Sequence, residues 1–351
     1  MRVEKKVRKN SNGLGLGKLK HEYLSNILKK HISDLEIDDE RVILGSKIGE
    51  DAAVIDMNDH YLVAKTDPIT FTTDEIGYYS VHVNVNDIVC TGAIPKWFLS
   101  TILLPEKKTN EDLIEKIFKE LHDTCKSLNV TMIGGHTEVT SNLARPIVVG
   151  SLLGEVEKHK LVKTSGAKVD DALILTKGIF IEGTSIIARE KEDLLLRKGL
   201  DKSFINKCKQ FLHDPGISVY KDALISNDHF KINSMHDITE GGLATGIAEI
   251  AIASDLGALI YEDCIKILPE PAKLSEMFEL NPFGTISSGS LLISINQKDS
   301  IKLVDLLRQN GIDSEIIGKI VKKNEGLKII TKNNENQPLL FSEVDEILKI
   351  F

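Results

Sequence analysis

From Tyr79 to Pro95 the chain reads YSVHVNVNDIVCTGAIP, and the apolar residues Val81, Val85, Ile88 and Val89 recur at three- and four-residue spacing. That period predicts a helix with one face on a core, ended by Gly92 and Pro95. Asp87 stands beside the apolar stripe, not opposite it. A carboxylate at the buried edge of a helix is costly unless a cation meets it. Taken alone Asp87 predicts a salt bridge to Lys or Arg; its acidic neighbours along the chain open a second reading, a site that holds a cation.

Those neighbours lie in strands. RVILGSKIGEDAAVIDM predicts two strands joined by a tight acidic turn with Glu50 and Asp51, and YLVAKTDPIT a strand that ends at Asp67, before Pro68. WFLSTILLPE and RPIVVGSLLGEV read as further strands. TNEDLIEKIFKELHDTCKSLN predicts a helix with Thr109 as N-cap, acids in the first turn and a stripe of Leu113, Ile114, Ile117, Leu121 and Cys125. VTMIGGHTEVT predicts a strand running into a Gly-Gly turn that carries His136 and Glu138. Paired glycines let a ligand come close to the backbone, and His136 there suits a metal ligand, a phosphate contact or a turn.

In the second half KTSGAKVDDALILTKG predicts a loop and a strand, and IFIEGTSIIARE a helix with Gly183 and Thr184 at its start, where an anion or a plain cap fits. Ser203 to Leu212 predicts a helix and His213 to Gly216 a turn. INSMHDITEGGLATGIAEIAIAS predicts a strand ending at His236-Asp237, a turn with Thr239 and Glu240, and a helix opened by Gly241-Gly242 that runs to Ser254. Glu240 there suits either a cap or chemistry. NPFGTISSGSLLISI predicts a Ser/Gly turn before a strand, and KDSIKLVDLLRQNGI a helix ended by Gly311. At the other end, residues 1–18 form a Gly-rich basic segment. It reads as a tail, or as a flexible arm whose Lys18 or Lys20 touches phosphate. Leu19 to Ile32 reads as an amphipathic helix.

Strands alternating with helices describe an α/β fold of α+β layers. A length of 351 residues suits two domains, 1–155 and 156–351. Hydrophobic residues make up 42% and charged residues 27%, ordinary for a soluble protein. A net charge of −8 excludes a general binder of nucleic acid or anionic membrane, which needs a basic surface. It leaves room for a nucleotide, whose phosphates magnesium carries onto carboxylates. The four cysteines are scattered without a C-x-x-C pair, against a disulfide framework or zinc site and in keeping with a reducing cytoplasm. No apolar run approaches the ~20 residues needed to span a bilayer, and the basic N-terminus lacks the apolar segment of a secretory signal. Acids at strand ends that converge over a helix suit a hard cation, which takes several oxygens.

Four patches in order, GEDAAVID, KTDPIT with VNVNDIVCTGAIP, IGGHTEVT and SMHDITEGGLATGIAEIA, resemble the superfamily of aminoimidazole ribonucleotide (AIR) synthetase, thiamine-monophosphate kinase, selenophosphate synthetase and the hydrogenase maturation protein HypE. The chain is similar above all to its "AIR synthase-related", HypE-like branch. The resemblance implies two α/β domains, a homodimer whose first domains pair into a shared barrel, and ATP with Mg²⁺ in a groove beside it. It places Asp51, Asp67, Asp87 and Asp237 on magnesium, and Asp51, Asp67, Asp87, Asn86, Gly134, Gly135, Thr137 and Thr239 on the nucleotide. Asp237, Glu240 and His136 fall at catalytic positions. The implied reaction phosphorylates or activates a small molecule or a protein group, which needs positioning and charge neutralisation more than covalent help. The chain departs from its relatives: it ends in Lys349-Ile350-Phe351 where HypE has a terminal cysteine, its first cysteine is Cys90, and His136 stands where the kinase has an acid. The alternatives are a thiamine-monophosphate-type kinase and a non-catalytic nucleotide-binding partner in a maturation complex.

Overall fold

The first sheet is built from β1 (Val42–Leu44), β2 (Ala53–Asp56), β3 (His60–Ile69), β4 (Ile94–Pro105), β5 (Thr131–Thr140) and β6 (Ile147–Glu157) in the order β1-β2-β3-β6-β4-β5. Only β4 and β5 pair in parallel. Strict alternation governs β6: Val148, Gly150, Leu152, Gly154 and Val156 are buried, and the residues between them are partly exposed. These facts come from a computed structural model that describes residues 19, 21–31, 39–45, 49–342 and 344–351. The predicted N-terminal arm with Lys18 and Lys20 lies outside them, and α1 covers His21–His31.

On the buried face of the sheet, α2 (Ile76–Cys90) crosses β3, β6 and β4, with α3 (Glu111–Ser127) packed beside it. Gly150 and Gly154 permit that approach: a Cβ on Gly150 would lie 2.3 Å from Asn84 Nδ2, and one on Gly154 2.6 Å from Ile88 Cγ2. The helix is buried on nearly its whole surface, not on one face as its stripe predicts, because the second half of the chain covers its other side. Of the buried polar groups there, Asn84 Nδ2 donates to the Ser80 carbonyl at 2.8 Å, whereas Ser80 Oγ, His82 Nδ1 and Asn84 Oδ1 have no hydrogen-bond partner. The cap of α3 is Asn110, whose side chain accepts from Leu113 N at 2.9 Å; Thr109 instead donates its hydroxyl to the Pro105 carbonyl.

The second sheet comprises β7 (Asp171–Thr176), β8 (Ile232–Asp237), β9 (Gly257–Tyr261), β10 (Leu291–Asn296), β11 (Ser314–Val321), β12 (Leu327–Ile330) and β13 (Asn336–Pro338). Their order is β13-β12-β9-β11-β7-β10-β8, with β9 and β12 parallel. Between and around them lie α4 (Ile181–Glu190), α5 (Glu192–Arg197), α6 (Lys202–Gln210), α7 (Tyr220–His229), α8 (Gly242–Ala253), α9 (Pro269–Phe278) and α10 (Gln297–Gln309). Central β7 is buried throughout, as its unbroken apolar run requires. α2 also touches β8 and α7, so it forms the seam between the two sheets. Neither sheet closes on itself. Among the described residues no helix is long and apolar enough to cross a membrane.

Candidate functional site

Alternation along β3 turns Val63, Lys65, Asp67 and Ile69 toward α2, which presents Asp87 and Cys90 at its C-terminal end. The segment entering β2 supplies Asp51, and β8 ends on the seam with His236 and Asp237. Lys65 Nζ lies 3.0 Å from Asp87 Oδ2 and 3.4 Å from Asp67 Oδ2. His236 is clamped at both ring nitrogens, Nδ1 at 2.8 Å from Asp51 Oδ2 and Nε2 at 2.8 Å from Glu249 Oε2 on α8. Ligand atoms of Asp51, His236 and Asp237 lie within 4.8 Å of one another. Cys90 Sγ donates to Asp237 Oδ1 at 3.9 Å.

Burial and mutual repulsion decide the electrostatics. Burial pushes Asp87 well above the carboxylate range; Lys65 opposes this, while Asp237, Asp51 and Asp67 reinforce it. Burial, then Asp51, raises Asp237 to about 6. His236 is raised in the opposite sense to its burial because Asp51 and Glu249 favour the charged ring. Lys65 likewise stays charged against burial through Asp87, Asp67 and Asp51. As a charged ring His236 orients Asp51 through Nδ1; in its neutral form the same nitrogen would join Asp51 and Asp237 as a ligand atom. Four aspartates then face two cationic side chains; Asp87 Oδ2 has Lys65 as its ion-pair partner, and Asp237 Oδ2 is buried without a completed hydrogen bond. Carboxylates in surplus over cations fit a divalent hard cation: Asp51 and Asp237, whose ligand atoms lie together, would hold it, with Asp67 and Asp87 beside them on Lys65.

Other residues named from the sequence go elsewhere. Asn86 is wholly buried, donating to the Ile217 carbonyl at 2.8 Å and accepting from Val219 N at 2.9 Å, so both ends of its amide tie α2 to the second half. Gly134, Gly135, His136 and Thr137 do not form a turn: they run within β5, where His136 pairs with Glu138 at 3.1 Å on an exposed strand. Asp67, Gly150, Ser100 and Gly135 form one row across β3, β6, β4 and β5. Three strand spacings put that glycine about 14 Å from Asp67. Within one chain these four residues therefore stand apart from the acidic cluster. Thr239 and Glu240 line a hollow together with Asp67. Glu240 does not cap α8, whose Gly241 N–H donates to Asp345 Oδ2 at 2.7 Å. Glu50 accepts from the N–H groups of Thr164 and Ser165 and is a loop anchor. Gly183 N donates to the Ile286 carbonyl, which occupies the helix start that an anion would need.

Two partners escaped the sequence reading. Lys65 was legible in principle, because it lies two residues before Asp67 and so on the same strand face. Glu249 was not, because its pairing with His236 depends on how α8 folds back over β8.

The chain matches the models of the AIR synthase related protein family, the N-terminal domain over residues 49–156 and the C-terminal domain over 168–330. It is 29% identical over 323 residues to a protein of Methanocaldococcus jannaschii that carries the name hydrogenase expression/formation protein, covering 90% of this chain and 91% of that one. Among solved structures, HypE in a HypE-HypF complex superposes with a TM-score of 0.71 at 20% identity, over 91% of this chain and 99% of the other. Hydrogenase maturation protein HypE in complex with ATP gives 0.65 at 19% identity, over 93% and 96%. These structures share the two-domain mixed α/β fold. With both of its domain models matched in order along most of its length, this chain belongs to the AIR synthase related protein family.

Proposed function

We propose that the protein is an ATP- and Mg²⁺-dependent enzyme that phosphorylates or activates a small molecule or a protein group. It is HypE-like. One observation carries this reading: Asp51 and Asp237 bring ligand atoms together on the seam between the sheets, with Asp237 Oδ2 buried and unsatisfied and Asp67 and Asp87 held beside them by Lys65. Magnesium bound there would neutralise the phosphates of ATP, and Asp51 and Asp237 would hold it, with Asp67 and Asp87 beside them. Lys65 and His236 fix the carboxylates in place. Asp237 or Glu240 orients the attacking group. The likeness to HypE bound to ATP supports the choice of nucleotide, and the likeness to HypE within a HypE-HypF complex supports a maturation partner protein.

The reading includes a cytoplasmic homodimer, with the units of each chain divided near residue 155. Leu62, Ala64, Leu99, Val149 and Leu153 leave one face of the first sheet partly exposed, and the outer edge of β5 carries Ile133 and Val139 at 50% and 54% exposure. Such a face supports pairing with a second copy, which would also join the strands into a barrel. Substitution tests the site: Asp51→Asn and Asp87→Asn should each weaken Mg-ATP binding at least tenfold. Unchanged affinity in both variants would put the nucleotide somewhere else.

A further inference from the structure

His236 brings a nitrogen donor to a cluster otherwise made of carboxylates. Among the described residues, Asp51, His236 and Asp237 form the group of three whose ligand atoms lie within 4.8 Å of one another. His236 and Asp237 are 2% and 1% exposed. Nδ1 of His236 lies 2.8 Å from Asp51 Oδ2, yet that ion pair completes no hydrogen bond, and Asp237 Oδ2 has none either. Two buried polar atoms of adjacent residues thus keep hydrogen-bonding capacity that the protein leaves unused. The far side of the ring is occupied: Nε2 lies 2.8 Å from Glu249 Oε2 on α8, an acid that has no task in holding magnesium. A carboxylate behind an imidazole is the arrangement that fixes a metal-binding histidine, because it keeps the proton on one nitrogen and frees the other for the ion. The side chain of Asp51 is 31% exposed and gives an ion a way in from solvent.

We propose that Asp51, His236 and Asp237 form a zinc site that fills without nucleotide, with Glu249 holding the histidine in place. Donor chemistry selects the ion. Magnesium takes oxygen and keeps its waters, whereas zinc binds imidazole nitrogen and carboxylate oxygen together. On binding, the Nδ1 proton leaves to solvent and the ion takes the lone pair, while Glu249 keeps the Nε2 proton. That exchange puts two positive charges where the ring held one, in a cluster where Asp51, Asp67, Asp87 and Asp237 outnumber Lys65 and His236. Three protein ligands leave the fourth tetrahedral position open. The scattered cysteines argue against a zinc site built of thiolates, and this one needs none. Zinc would occupy the two aspartates that magnesium needs, and so would compete with the magnesium-nucleotide. That competition rests on the reading of the cluster as a magnesium-nucleotide site; zinc binding does not.

The test is calorimetric titration of the full chain, first stripped with a chelator, with zinc chloride and, as control, magnesium chloride, both without nucleotide. One equivalent of zinc is expected to bind in the micromolar range or tighter, at least a hundredfold tighter than magnesium. His236→Gln should weaken zinc at least tenfold and Glu249→Gln several-fold. Cobalt(II) in place of zinc should give visible ligand-field absorption that His236→Gln abolishes. Absence of one-to-one zinc binding, affinity unchanged in His236→Gln, or magnesium bound as tightly as zinc would overturn the proposal. Should His236→Gln fail to fold by circular dichroism, Glu249→Gln decides, and unchanged zinc affinity there overturns it. Zinc binding intact in a protein that shows no magnesium-dependent binding of an ATP analogue would remove the competition alone, so the two readings fail separately.

Discussion

Glu182 holds its proton where an ordinary glutamate would give it up. Unfolded, it titrates near 4.5; folded, burial moves it to about 8. Between those values the unfolded chain releases a proton that the folded chain keeps, so this residue's contribution to stability is complete below pH 4.5 and lost as pH rises toward 8. The slope is at most about 1.4 kcal/mol per pH unit. Denaturant titrations of wild type and Glu182→Gln at pH 5 and pH 8 should therefore show the variant gaining on wild type as pH rises. A gap that stays constant would mean that the carboxyl is solvated. At this scale the sequence showed the acids whose position is local: Asp51, Asp67, Asp87 and Asp237 sit at strand ends or on a helix edge, and the fold brings them together. It did not show direction. Asn86 is next to Asp87 in sequence, yet 3.6 residues per turn swing its amide toward Ile217 and Val219. Glu182 carries no local signal, because its environment is made by Ser288 and Tyr79 from distant segments.

Helix α2 is the element on which the seam depends. Its seat on β6 requires glycine at 150, since a β-carbon there would run into Asn84 and Phe98. Gly150→Val should cost about 1–3 kcal/mol of stability by overpacking and lower the thermal midpoint by several degrees. A midpoint within one degree of wild type would show that α2 does not lie against β6. The helix was legible from its period, and its burial on all sides was not, since periodicity reads only the apolar stripe. The opposite error fell on β5. Gly134-Gly135 looked like a turn, but Gly135 lies where a Cβ would come 2.0 Å from the Ser100 carbonyl, so glycine serves close strand contact. The nucleotide roles given to Gly134, Gly135, His136 and Thr137 came from motif likeness, and the row that aligns Gly135 with Asp67 shows how far along the sheet those residues lie.

Across the whole molecule, two sheets meet over one buried helix and leave the outer face of the first partly exposed. If that face pairs, Leu153→Asp places a charge in the interface, and light scattering should show a dimeric wild type with a monomeric variant. A monomeric wild type would contradict the pairing. The sequence made the two-layer fold and the order of its motifs readable, whereas the convergence of Asp51 with His236 depends on packing one sheet against the other. That convergence is the centre of the account. The most direct measurement is isothermal titration of the purified protein with a non-hydrolysable ATP analogue, with and without Mg²⁺. Saturable binding that requires Mg²⁺ and is lost in Asp87→Asn is the predicted result. Absence of binding in both conditions, or binding indifferent to Mg²⁺ and to Asp87, would contradict it.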